Sequence, residues 1–381
     1  MSALAERMAR PGPKKLLAID GGGIRGVLAL EILAKIEAEL RAASGNADYR
    51  LATYFDAIAG TSTGGIIAAG LALGMSVSEL LDFYVDSGAA MFQRSGLLRR
   101  VRYKFVDEPL AAKLKETFGD RTLGSADLRT VLMLVMRNAT TDSPWPVSNN
   151  PYAYYNRDLS QSWCNLNLPL WQLVRASTAA PTFFPPEKII VGDRSFLFVD
   201  GGVTMYNNPA FQLFLMMTVD AYWRAAPAGV APWRANVGDM LLVSVGTGTS
   251  PGANDRLDAE DMTLLFNAST IPSALMFSAL QEQDALCRVF GDCHAGDQID
   301  RELGTLIGSE GPLGRKLFRY VRYNAELTAG GLQALGCGDI DPARVQRLDS
   351  VAAIPELRRV GRAVAERKLH AEHLGLARFA P

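Results

Sequence analysis

The apolar positions near the start of the chain fall twice into one order: a short apolar run, a glycine-rich turn, then a helical repeat. Leu16 to Ile19 is the first run, and Asp20-Gly21-Gly22-Gly23-Ile24-Arg25-Gly26 follows at once. Leu28, Ile32, Ile36 and Leu40 then recur every four residues, the spacing of one helix face. The order repeats from Phe55 to Gly74, in FDAIAGTSTGGIIAAGLALG. Near-continuous apolar strands alternating with helices predict an α/β fold, with a mainly parallel central sheet covered by helices in three layers. Arg129 to Met136 and Met240 to Val245 read as further buried strands. Lys188 to Val191 and Phe196 to Val199, joined by a Gly-Asp turn, read as a hairpin.

The rest of the pattern divides the chain. Residues 1–14 read as a flexible polar tail, with Pro11 and Pro13 blocking regular structure. Residues 15–250 read as the α/β core, and 251–381 as a mostly helical, amphipathic extension packed on it, with room for a lid or regulatory part. Within that extension Phe266 to Phe290 fits a lid helix or plain core. A helix is expected over Ser78 to Val85, capped by Ser76 or Ser78, and a long loop from Asn138 to Asp158. Ala57 to Ser78 carries no charge, but its five glycines and Thr-Ser-Thr favour a buried strand, turn and helix over a membrane span.

Composition adds exclusions. Hydrophobic residues make up 48 % and charged residues 21 % of 381, the balance of a globular protein and not of a disordered one. A net charge of −1 removes the bulk electrostatic reason to expect a nucleic-acid polymer as partner. The N-terminus lacks the apolar core of a secretory signal, and four spread cysteines suit free thiols, so an intracellular compartment is expected. Met91 to Phe105 interleaves five basic residues with apolar ones, which fits an interfacial patch or a solvated basic surface equally.

The chemistry concentrates at Gly60-Thr61-Ser62-Thr63-Gly64. A strand running into Gly-x-Ser-x-Gly and straight into a helix is the nucleophile-elbow pattern, which lifts a serine hydroxyl above its neighbours. Gly60 and Gly64 leave room where the backbone folds back, and the helix start offers free N–H groups to an oxyanion. A serine needs a base. Asp200 ends an apolar strand and precedes Gly201 and Gly202, which places it at the ligand-binding edge of an open sheet; a simple turn aspartate is the alternative. A Ser62, Asp200, His294 order would also match a histidine triad, although Ser62 follows only the second strand and His294 lies in a polar stretch.

The loop Gly21 to Gly26 fits G-x-G-x-x-G, yet no acid ends a second strand at the distance a dinucleotide needs, and a Walker lysine is absent. The same glycines suit an oxyanion hole, with Arg25 steadying the loop or meeting a phosphate. Cys287, Cys293 and His294 fit no common zinc spacing, so no metal and no cofactor is expected.

Taken together, DGGGIRG (Asp20 to Gly26), GTSTG (Gly60 to Gly64) and DGG (Asp200 to Gly202) resemble the patatin-like phospholipases. ASTAAPTFFPP, the Asn207-Asn208-Pro209 after DGG, and SVGTG at Ser244 to Gly248 look like the family as well. The resemblance implies a Ser62–Asp200 dyad without histidine, an oxyanion hole from Gly21, Gly22 and Gly23 with Arg25, and hydrolysis of phospholipid acyl esters at a membrane surface. Plant members carry signal peptides, whereas this chain looks like the intracellular bacterial type. Some bacterial members are membrane-degrading effectors switched on by cyclic nucleotides, an expectation extended here to the residues beyond the third motif.

Overall fold

The computed structural model describes residues 2–91, 105, 108–251 and 264–381. Nine strands form one mixed sheet: β1 (Lys14–Ile19), β2 (Ala57–Thr61), β3 (Val131–Asn138), β4 (Ser143–Ser148), β5 (Glu187–Val191), β6 (Arg194–Asp200), β7 (Met240–Val245), β8 (Asp292–Ala295) and β9 (Arg319–Tyr323). The helices before β3 are α1 (Ala3–Ala9), α2 (Gly26–Ser44), α3 (Leu51–Tyr54), α4 (Thr63–Ala72), α5 (Val77–Met91) and α6 (Glu108–Phe118). After it come α7 (Leu170–Ser177), α8 (Ala210–Thr218), α9 (Leu264–Phe290), α10 (Ala329–Ala334), α11 (Pro342–Val345) and α12 (Ile354–Lys368).

Strands β1, β2, β3, β7, β9 and β8 pair in parallel, while β4, β5 and β6 enter antiparallel. Side chains alternate between the two faces of the strands. Leu17, Ile19 and Ile58 therefore join the core under α2, α4 and α12, and Leu16, Ala18, Ala57 and Ala59 join the core under α1 and α8. Two cores on one sheet make the expected three layers. Ser76 and Glu79 form the reciprocal cap that starts α5, with Glu79 N–H on Ser76 Oγ at 3.2 Å and Ser76 N–H on Glu79 Oε2 at 2.7 Å.

Three expectations are corrected. Residues 1–14 are no tail: Ser2 caps α1, which buries Ala5 and Met8. Arg7 then donates to the carbonyls of Ala52 (2.6 Å), Arg129 (2.9 Å), Thr53 (3.0 Å) and Phe55 (2.9 Å). One guanidinium thus ties together carbonyls of α3 and of the segments that lead into β2 and β3.

Residues 251–381 are no separate helical extension, because β8 and β9 complete the central sheet beside β7. Strand β9 carries Arg322 into the interior, a residue whose partners Asp20 and Asp284 stand far away in sequence. Asn138 to Asp158 is not all loop either: Ser143–Ser148 pairs along β3 as an outer strand where Pro144 and Pro146 are tolerated. The basic run from Met91 to Phe105 lies outside the described residues except at its two ends. Phe105 packs there on Phe183 and Phe184. Among the described residues no helix is long and apolar enough to cross a membrane.

Candidate active site

The sheet register brings Ser62 and Asp200 together. One edge of β3 is occupied by β4 throughout residues 133–138. The other edge is shared: β2 pairs with it up to Thr61 opposite Val135, and β6 pairs with it from Phe198 opposite Asn138 to Asp200 opposite Met136. Strands β2 and β6 therefore run toward each other along one edge and meet head to head. The first residue past β2 is Ser62, and the last of β6 is Asp200.

At that seam Ser62 Oγ donates to Asp200 Oδ2 at 2.5 Å, and Gly202 N–H donates to Asp200 Oδ1 at 2.6 Å. Ser62 has φ 55° and ψ −123°, a left-handed conformation that costs a β-carbon-bearing residue about 1–3 kcal/mol. The turn is tight on both sides. A Cβ on Gly60 would collide with the carbonyl of Gly64, and one on Gly64 with the carbonyl of Ile19. The flanking threonines are tied down, Thr61 to the Tyr206 carbonyl at 2.6 Å and Thr63 to the Tyr84 hydroxyl.

Both side chains are nearly dry, Ser62 at 8 % and Asp200 at 5 % exposure. Burial pushes the Asp200 carboxyl up to about 6, although the Ser62 and Gly202 hydrogen bonds and the Arg175 charge pull it down. Such a group is ionised at neutral pH and still basic enough to accept a serine proton.

Gly21 lies against Ser62: a Cβ there would strike the Asn207 side chain and approach Ser62 Cβ to 3.3 Å. Its N–H donates to the Asn207 carbonyl at 3.1 Å, and its carbonyl accepts from Thr247 Oγ1 at 2.6 Å. The Asn-Asn-Pro and SVGTG segments thus clamp the loop. Because the Gly21 amide is engaged, the loop amides without a protein acceptor among the described residues are those of Gly22 and Gly23. Gly23 turns with φ 58°, and Gly26 begins α2 against Thr63. Arg25 is half-buried with no bond on its Nε; burial pulls its guanidinium down to about 10, with Asp20 opposing that.

Three contributors escaped the sequence reading. Ser177, the last residue of α7, sits in the seam: its Oγ accepts Ser62 N–H at 2.9 Å and donates to the Val135 carbonyl at 2.6 Å. The signal was the Ala176-Ser177-Thr178 before APTFFPP, which marks a helix end but names no partner. Arg322 donates to Asp20 Oδ2 at 2.6 Å and to Ser244 Oγ at 2.6 Å, and so pins the residue that heads the glycine loop. Met276 on α9 reaches within 3.7 Å of where a Cβ on Gly202 would stand, while Leu280, Asp284 and Cys287 further along α9 are buried.

Ser177 is a positioning residue. In Ser177→Ala both bonds are lost, at about 1–3 kcal/mol for a buried pair left open. The expected result is a kcat lowered about 10–100-fold with KM unchanged, and partial rescue by Ser177→Thr, read from steady-state ester hydrolysis.

The histidine arrangement is not assembled. His294 lies on β8 with Nε2 on Asp292 at 2.8 Å, at the far edge of the sheet. Four strand spacings separate β8 from β2, roughly 19 Å. Cys293 and His294 are adjacent on that strand, with Cys293 buried and His294 partly exposed, and Cys287 is buried on α9.

Fold and site together define a class: a mostly parallel α/β protein that presents one strained serine to one buried carboxylate at the C-terminal edge of its sheet. Residues 17–214, more than half of the chain, match the profile of the patatin-like phospholipases. The chain belongs to that family. It is 31 % identical over 265 residues to Patatin-T5 of Solanum tuberosum, covering 65 % of this chain and 63 % of that protein. It is 32 % identical over 257 residues to Patatin-17 of Solanum cardiophyllum, covering 62 % and 60 %. The chain thus spans somewhat under two thirds of the length of these relatives. Among solved structures, VipD from Legionella pneumophila aligns with 13 % identity and a TM-score of 0.35, over 91 % of this chain and 67 % of that one.

Proposed function

We propose that the chain is a serine-dependent lipid acyl hydrolase of the phospholipase A type, which cleaves fatty-acyl esters of membrane phospholipids through an acyl-enzyme. The observation that carries this is the 2.5 Å bond between Ser62 Oγ and Asp200 Oδ2 at a strained elbow beside unpaired glycine amides. Asp200 takes the Ser62 proton as Oγ attacks the acyl carbonyl. The tetrahedral oxyanion rests on the amides of Gly22 and Gly23, with the first amides of α4 close by. Asp200 returns the proton to the leaving lysophospholipid oxygen. It then takes a proton from water, whose oxygen attacks the acyl-enzyme, and passes that proton to Ser62 Oγ as it leaves, which releases the fatty acid and restores the Ser62 hydroxyl and the Asp200 carboxylate. The steps use the chain's own groups and water.

The test is mass-spectrometric identification of fatty acids released from mixed phospholipids, wild type against Ser62→Ala. Release that is equal in both would sink the reading. A histidine-dependent esterase makes a different prediction for His294→Ala. The dyad reading expects near-normal kcat/KM in that variant, whereas a triad would lose at least about 100-fold. A non-catalytic binding protein would leave wild type unlabelled by a fluorophosphonate probe. Within the same proposal the enzyme works from the cytoplasm at the inner membrane as a regulated effector. Hydrolysis rates unchanged across a panel of cyclic di- and trinucleotides would remove cyclic-nucleotide activation from it.

A further inference from the structure

The hairpin that delivers Asp200 also stands out of the sheet. Strand β3 ends at Asn138 opposite Phe198, and Leu197 still bonds to the turn beyond it, accepting from Ala139 N–H at 2.8 Å and donating to Thr140 Oγ1 at 2.9 Å. Residues 194–196 of β6, with their β5 partners, therefore project past the C-terminal edge at which Ser62 sits. At about 3.3 Å per residue the hairpin rises roughly 10 Å above that edge. Its two faces differ. Ile189 is buried on the side facing α7. Lys188 pairs with Leu197, and Ile190 with Ser195, so the opposite face carries Ile190 and Leu197 together, exposed at 65 % and 47 %.

The turn at the hairpin's tip rests on a second exposed segment. Gly192 N–H donates to the Ser162 carbonyl at 3.1 Å, and a Cβ on Gly192 would lie 3.5 Å from Trp163 Cβ. Trp163 packs edge-on against Tyr155, which is 59 % exposed and itself packs against exposed Tyr154. The Arg157 guanidinium lies over the Tyr154 ring at 3.9 Å. Tyrosines and tryptophan with an apolar body and a polar end, set beside exposed aliphatic residues, are the composition that settles at a lipid–water boundary.

The charges select the kind of boundary. Arg157, Lys188 and Arg194 stand beside Asp158, Glu187 and Asp193, so the sum over the tip is zero. Interspersed charges of both signs match a zwitterionic headgroup layer, which also carries both. An anionic surface would call for a cationic excess.

From this we infer that the β5–β6 hairpin tip, with Tyr154, Tyr155 and Trp163, is a docking surface for a zwitterionic phospholipid layer. It lays the layer against the edge that holds Ser62. The inference rests on the proposed phospholipid substrate, and it adds how that substrate is met: Ile190 and Leu197 enter the layer, while the charges of both signs remain among the headgroups.

The experiment separates docking from chemistry. Binding to phosphatidylcholine vesicles is measured by co-sedimentation on the Ser62→Ala protein, with and without Ile190→Asp, and separately with Tyr155→Ser plus Leu197→Ser. Each set is expected to weaken vesicle binding at least about tenfold, and raising NaCl to 1 M is expected to leave the parent's binding within twofold. On the active protein the same substitutions are expected to lower hydrolysis of vesicle phospholipid about tenfold and to leave a water-soluble short-chain ester unchanged. Vesicle binding unaltered by both sets would overturn the inference. So would light scattering that shows the substitutions dissociating a dimer while vesicle binding persists, since the tip would then be a contact between copies. If wild type cleaved the soluble ester but no phospholipid, the proposed function would fail by itself, and the Ser62→Ala binding series would still decide the docking surface.

Discussion

In Ser62→Ala, ester hydrolysis is expected to fall about 10⁵-fold and fluorophosphonate labelling to vanish, while the fold persists. The loss is large because the substitution removes the atom that forms the covalent bond, and no neighbour can take its place. Ser177 Oγ is the other hydroxyl in the seam, but it donates to the Val135 carbonyl and faces no carboxylate. The change in stability is small beside the change in rate. Alanine in the same left-handed conformation keeps the backbone strain and leaves one Asp200 oxygen without its donor, so thermal stability should change by no more than about 1–2 kcal/mol. Residual turnover above roughly a thousandth of wild type would mean another nucleophile. Single-turnover kinetics with the labelled probe would settle which.

Asp200→Asn should be the second most damaging change, lowering kcat by about 10²–10⁴-fold, the usual share of a general base. The amide keeps the size of the carboxyl and can still accept from Gly202 N–H, so the defect is in proton transfer rather than in packing. In wild type, kcat/KM should rise with pH through a single ionisation near 6, the value to which burial pushes this carboxyl. Activity is lost below it because the protonated acid cannot take the Ser62 proton.

The linkage to stability has the opposite sign. A carboxyl near 6 in the folded protein and near 4 unfolded binds its proton more tightly when folded. Its unfavourable contribution is absent below about pH 4 and full above about pH 6, where it amounts to about 3 kcal/mol. Asp200→Asn should therefore be more thermostable than wild type at pH 7.5 and little different at pH 4, measured by calorimetry at both. A variant that is inactive and no more stable at pH 7.5 would show that the carboxylate is better solvated than its burial implies.

The elbow and the glycine loop were readable because each is a local event. A strand, a glycine-bounded serine and a helix lie within twenty residues, and local sterics decide their shape. The same locality explains the reading of α5 and its Ser76 cap, and of the β5–β6 hairpin with its turn. Residues whose role depends on a distant partner were read wrongly or passed over. Arg7 looked like part of a polar tail because the carbonyls it satisfies belong to residues 52, 53, 55 and 129. Strand β9 fell within a stretch read as mostly helical, and Asp20 and Asp284, which neutralise its Arg322, stand 302 and 38 positions away. Gly21, which the motif offers as an oxyanion donor, has its amide occupied by the Asn207 carbonyl.

Sequence alone therefore determined the fold class, the elbow serine and the candidate status of Asp200, for these follow from periodicity and from short motifs with a steric cause. The motifs and the resemblance favoured Asp200 over His294 as the partner of Ser62, but the distances across the sheet on which that pairing depends are not written in the sequence. Tertiary structure brings Asp200 and not His294 within reach of Ser62. Strands β2 and β6 meet head to head on one edge of β3, which leaves two side chains separated by 138 positions within one hydrogen bond. His294 stands on the far edge. Register between strands is set by packing over the whole sheet, and no local pattern encodes it.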